Sequence, residues 1–115
     1  MSRAGGLLVV GTDPTGYGGC LAGYGSWRAI ELLVEAGLSP LEALQVATFN
    51  GARLLGVDRE TGSIEVGKAA DLLVVSGDPS TTISDLRGAE IVFKDGVGYD
   101  SKKLFDAAKG LVGIQ

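Results

Sequence analysis

Leu7-Leu8-Val9-Val10 is the stretch that most limits how this chain can fold. Four apolar residues in succession, without alternation, suit a strand covered on both faces, as in a parallel sheet flanked by helices. Such a strand needs neighbours on both sides, and little chain precedes Leu7 to supply one. The run ends at Gly11, Asp13 follows, and residues 12–25 read as loop, with Pro14 and five glycines breaking any periodicity. A carboxylate at the tip of a buried strand has two readings. It opens a turn, as Asp before Pro commonly does, or it belongs to a site whose other members lie elsewhere.

Composition narrows the choice. At 115 residues the chain has room for one modest core. Its nineteen glycines are well above the usual share of about 7% and call for many tight turns. A net charge of −4 argues against nucleic acid as a partner and gives no pull toward an anionic membrane. Cys20 is the single cysteine, which excludes an internal disulfide and suits a reducing, cytoplasmic setting. With no histidine in the chain, Cys20 lacks the usual base for nucleophilic work. No apolar run approaches the ~20 residues of a membrane-spanning helix.

Helix signals follow the loop. Ser26 is placed to cap a helix running to about Ala36 and closed by Gly37. Trp27, Ile30, Leu33 and Val34 share one face of it; Arg28, Glu31 and Glu35 share the other. Ser39-Pro40-Leu41-Glu42 combines a cap, a first-position proline and the glutamate of a capping box. Leu41, Leu44 and Val46 are expected to face inward. Asn50-Gly51 is expected to interrupt this helix, with Asn50 capping a short piece from Ala52 to Leu55. After Gly56 the pattern turns to β: Ile64 and Val66 at period two, a turn at Gly67, then a strand from Asp71 to Val75. Residues 77–86 read as a turn and a short helical or irregular stretch. Ile91-Val92-Phe93 predicts a strand, Asp95-Gly96 a two-residue hairpin turn, and Val97 to Tyr99 the returning strand. Ser101 is the expected cap of a last helix carrying Leu104, Phe105 and Ala108. The change of character near residue 57 divides the chain into 1–56 and 57–115.

Phosphate-binding motifs are absent, since neither GxxxxGK[ST] nor GxGxxG follows the first strand. An anion held by backbone N–H groups of the 14–25 glycine loop stays open as an alternative. Four fragments taken in order carry a stronger message: "GTDPTGYGG", "AIELLVEAGLSPLEALQVATFNGARLLGV", "GSIEVGKAADLLVVSGDP" and "IVFKDGVGYD". Together they resemble the C-terminal end of a metal-dependent amidohydrolase, in particular the imidazolonepropionase-like and Xaa-Pro dipeptidase-like members.

That resemblance implies an α/β fold: the last βα unit of a (β/α)₈ barrel, in 1–56, followed by the C-terminal part of a small β-sandwich with a terminal helix, in 57–115. It implies that Leu7–Gly11 is the eighth barrel strand and that Asp13 is the aspartate at its C-terminal tip, where barrel enzymes keep their chemistry. Asp13 would then be both metal ligand and proton carrier for hydrolysis of a C–N bond, with a divalent ion, zinc first, as the cofactor of the complete enzyme. Substrates implied are small amides, lactams or dipeptides. Lys68 and Asp71 fall in a G-K-x-A-D signature and read as structural, as does Asn50 in the role of a helix cap. Tyr17, Tyr24 and Trp27 lie near enough in sequence to meet a substrate, although Trp27 suits a helix interface better. The family's histidine ligands have no counterpart here. The isolated segment is therefore expected to hold no metal, to be catalytically silent, and to self-associate through unpaired strand edges. A non-catalytic binding or assembly module built on the same fold is the competing reading.

Overall fold

The computed structural model describes residues 6–11 and 24–108. Their helices are α1 (Tyr24–Glu35), α2 (Pro40–Ala47), α3 (Phe49–Leu55) and, at the end, α4 (Ser101–Ala108). The strands are β1 (Leu72–Val75), β2 (Ala89–Lys94) and β3 (Val97–Asp100), with a 3₁₀ helix, Ile83–Gly88, between β1 and β2.

α1 begins two residues before Ser26, so that serine sits inside the first turn and does not cap it. The helix stops as the sequence suggests. Gly37 N–H donates to the Val34 carbonyl at 3.0 Å and Leu38 N–H to the Leu33 carbonyl at 3.1 Å, the paired bonds of a Schellman ending. In α2 both halves of the capping box are formed. Glu42 N–H donates to Ser39 Oγ at 3.2 Å and Ser39 N–H to Glu42 Oε1 at 3.0 Å. Ala43 and Val46 are buried, whereas Leu41, expected inside, is 64% exposed. On this short helix the inward stripe runs through Ala43 and Val46, with half-buried Leu44 flanking it, and Leu41 falls off its edge.

Asn50 does not cap anything. It lies within α3 and is buried, and Thr48 holds the N-cap position without a side-chain cap bond. Thr48 Oγ1 instead donates back to the Leu44 carbonyl at 2.7 Å.

The sheet is antiparallel in the order β1-β2-β3, with Leu72 opposite Phe93 and Phe93 opposite Gly98. A register shift between Val74 and Val75 leaves Glu90 as the extra residue of a bulge. The Asp95-Gly96 turn forms as predicted, with φ of 51° and 82°. Positive φ at both central positions is what a two-residue hairpin needs to match the strands' twist, and glycine meets it at least cost. α4 starts at Ser101, yet its capping bond comes from Asp100, whose Oδ1 accepts from Lys103 N–H at 3.0 Å. Ser101 is buried and its hydroxyl has no partner among the described residues.

Two expected strands are not formed among the described residues. Residues 6–11 have no strand pairing, and Leu7 is 43% exposed. Ile64 and Val66 lie in turns and bends with 87% and 107% of their surface open. A strand exists only through its partner's N–H and C=O groups, and no described segment offers a partner to either. What remains is a small core. Ala43, Ile83 and Leu86 pack together, surrounded by half-buried Trp27, Ile30, Leu33, Val34, Leu44 and Val75.

Candidate functional site

Asp13, the residue on which the functional expectation rests, lies outside the described residues, as do Tyr17, Cys20 and most of the 14–25 loop. The side chain of Tyr24 lies outside them too. The described segment that leads toward Asp13 is 6–11. One hydrogen bond joins it to the rest of the described structure: Asn50 Nδ2 donates to the Leu8 carbonyl at 3.0 Å. Asn50 Oδ1 is also within reach of Gln45 Nε2 at 3.5 Å.

Trp27 belongs to packing. Its ring lies 5.2 Å from that of Phe105, tilted at 45°, and the side chain packs against the core. Trp27, Leu73, Val92, Leu104, Phe105 and the buried Ser101 border an apolar groove of about 170 Å³ between α1, the sheet and α4.

Lys68 and Asp71 have structural surroundings. Lys68 Nζ donates to the Asp58 carbonyl and to Ser63 Oγ, both at 2.6 Å, and meets Glu65 at 2.7 Å. It also lies over the Phe49 ring, 5.7 Å from its centroid. The salt bridge to Lys68, helped by Ser63, holds the Glu65 carboxyl below its ordinary range. Asp71 accepts from Asp95 N–H at 2.8 Å and from Thr61 Oγ1 at 3.0 Å. Those two bonds, with Lys94 nearby, hold its carboxyl below the usual carboxylate value. Asp71 thus fastens the hairpin turn to the 56–71 loop. The G-K-x-A-D signature is a clasp.

The most elaborate charged group was not visible as such in the sequence. Glu31, placed by helical periodicity on the solvent side of α1, is 8% exposed. Arg87 reaches it from the 3₁₀ helix with two bonds of 2.8 Å, and Arg28 adds one of 3.3 Å. Arg87 is the main cause holding the Glu31 carboxyl below its ordinary range; burial opposes it and Arg28 assists. Arg28 also grips Glu35 at 3.0 Å and 3.2 Å. The Arg28–Glu31 spacing of three was a readable signal. Arg87, 56 residues away, was not.

A catalytic zinc site takes about three protein ligands. This chain has no histidine, and no group of three His, Cys, Asp or Glu side chains gathers among the described residues. The described residues by themselves form no metal centre. Likewise, no helix among the described residues is long and apolar enough to cross a membrane.

Comparison with known proteins gives this arrangement a context. Over 59 residues the chain is 41% identical to an adenine deaminase of Mesorhizobium japonicum, a match covering 51% of this chain and 10% of that protein. Over 43 residues it is 52% identical to an imidazolonepropionase of Symbiobacterium thermophilum, covering 37% and 10%. Among solved structures, a Xaa-Pro dipeptidase with methionine in its active site superposes with a TM-score of 0.65 at 39% identity. That match covers 70% of this chain and 20% of the dipeptidase. The chain therefore spans about a tenth of the curated relatives it matches and a fifth of that enzyme. The amidohydrolase family model matches residues 1–105, and with the α/β structure around it this chain belongs to the amidohydrolase family.

Proposed function

We propose that this chain is the C-terminal part of an enzyme that hydrolyses a C–N bond in a small molecule, an amide, a lactam or a dipeptide. The observation that carries the reading is the family match over 1–105, which includes Asp13 and the loop after it. The shares of its relatives that the chain spans support a partial polypeptide. Residues 1–56 supply the end of the barrel, with 7–11 as its last strand, and 57–115 supply part of the small sheet domain. Residues 7–10 carry strand sequence without a strand partner among the described residues, which is what a barrel strand removed from its neighbours would do.

Asp13 is the candidate catalytic residue and one ligand of a divalent ion, zinc by resemblance, whose other ligands come from polypeptide outside this chain. As a carboxylate with ordinary pKa near ~3.9 it is ionised at neutral pH. It can accept a proton from the attacking water and return it to the departing nitrogen. The 115-residue chain by itself is catalytically silent and resides in a reducing, cytoplasmic setting, where Cys20 stays a thiol.

Two measurements test this. In the complete polypeptide, Asp13→Asn is expected to lower kcat by about 10²–10⁴-fold, the usual weight of a general acid–base group. Full activity in that variant sinks the assignment. The purified 115-residue chain is expected to retain no stoichiometric zinc after dialysis, by elemental analysis. One tightly held ion per chain would refute the claim that its ligands lie elsewhere.

A further inference from the structure

We propose that the groove between α1, the sheet and α4 binds a small, neutral aromatic molecule with one hydroxyl group, its ring on the apolar walls and its hydroxyl paired with Ser101 Oγ. Two independent observations meet there. One is the space itself, about 170 Å³, walled by three parts of the fold: Trp27 from α1, Leu73 and Val92 from the sheet, Leu104 and Phe105 from α4. The other is Ser101. It borders the same space, is only 3% exposed, and its hydroxyl has no partner among the described residues.

The hydroxyl is spare for a local reason. At the start of α4 the cap bond is made by Asp100, whose Oδ1 accepts from Lys103 N–H, so Ser101 is not needed as a cap. Packing has nonetheless taken its Oγ away from water. A buried hydroxyl left unpaired carries a desolvation penalty. A ligand hydroxyl removes that penalty on binding, because serine serves as donor and acceptor alike.

The walls set the rest of the ligand. A cavity of about 150 Å³ lined by apolar side chains takes a benzene-sized ring, so this groove suits one six-membered ring with a small substituent. Trp27 and Phe105, with ring centroids 5.2 Å apart, offer aromatic surface on which a further ring packs offset or edge-on. None of the described residues bordering the groove is charged. A carboxylate or ammonium group would lose its water there without gaining a counter-charge, which leaves neutral ligands. Leu73 and Leu104, 45% and 49% exposed, keep one side open for entry.

The test uses the 115-residue chain with phenol and, as a probe of the same size without the hydroxyl, toluene. Phenol is expected to change the emission of Trp27, the single tryptophan, saturably, with a dissociation constant on the order of 1 mM. Amide NMR shifts should centre on Leu73, Val92, Ser101 and Leu104. Ser101→Ala, which deletes an unpaired buried hydroxyl and so should fold, is expected to weaken phenol about threefold to tenfold, the worth of one net hydrogen bond, and to leave toluene unchanged. Ala89→Leu, which adds bulk at the groove wall, should abolish both. No saturable change in the unaltered chain, or shifts centred elsewhere, overturns the site, and neither reading depends on a variant folding. Phenol affinity unchanged in Ser101→Ala, or weakened equally with toluene, overturns the pairing with Ser101. A phenol affinity that falls as protein concentration rises would give the groove to a second copy of the chain and overturn the small-molecule assignment.

Discussion

Glu31 keeps its charge while nearly buried because two arginines reach it, one of them through paired 2.8 Å bonds. Its carboxyl and that of Asp71 both titrate below their ordinary ranges in the folded chain. A group whose folded pKa is depressed contributes stability that is complete above its unfolded value, about 4.3 for Glu and 3.9 for Asp. That contribution is lost as pH falls through the lower folded value. Thermal melts should thus show no loss from these groups between pH 7 and 5, and a declining Tm below about 4.5. Glu31→Gln is expected to flatten part of that acid slope, and an unchanged slope would remove Glu31 as its source. Arg87→Met should lower Tm more than Arg28→Met, since Arg87 makes the shorter, paired contact. The Ser39 cap is a separate local device. Ser39→Ala should cost about 1 kcal/mol in urea unfolding.

Among the elements, α3 and the loop after it hold two glycines with opposite expectations. Gly51 lies in mid-helix, and an added Cβ would meet nothing within 4 Å. Gly51→Ala should therefore stabilise the chain by about 0.5–1 kcal/mol, because alanine loses less backbone freedom on folding. At Gly62 an added Cβ would fall 2.6 Å from the Ala52 Cβ, and φ is +97°. Gly62→Ala should destabilise by about 1–3 kcal/mol through that clash and the strained backbone. Urea unfolding of the pair reads both signs at once, and a stabilised Gly62→Ala would mean the loop does not pack on α3 as described. The sheet depends on the Asp71 clasp in the same local way, since one carboxylate holds both the hairpin turn and Thr61.

For the molecule as a whole, the balance of apolar surface is unusual. Among the described residues five apolar side chains are buried, two of them alanines, while thirteen large hydrophobics are exposed. Leu54, Leu55, Ile64 and Val66 are each at least 60% open. Burying one such side chain fully contributes roughly 1.5–3 kcal/mol, so covering several of these would be a substantial driving force. We expect the purified 115-residue chain to self-associate at tens of micromolar, measured by size-exclusion chromatography with light scattering. A clean monomer there would show that these surfaces are tolerated in water.

The features legible in the sequence are those whose partners lie within a few residues. The Ser39–Glu42 box, the Gly37 ending, the Asp95-Gly96 turn and the pairing of β2 with β3 all close short loops, so the local pattern carries the whole interaction. Asp13 was legible only as part of a family-like string, and it lies outside the described residues. Ile64-Glu65-Val66 alternates like a strand, but alternation reports a preference and not a partner. The Leu7–Val10 run likewise reports a preference, and no strand partner for it lies among the described residues. What only the tertiary structure decided are contacts across long spans: Arg87 onto Glu31, Asn50 onto Leu8, Ala43 and Val46 inward while Leu41 faces water. Local chemistry specifies a cap or a turn because its donor and acceptor are already neighbours. Which distant charge or carbonyl a buried side chain meets depends on how whole elements pack, and no window of sequence contains that.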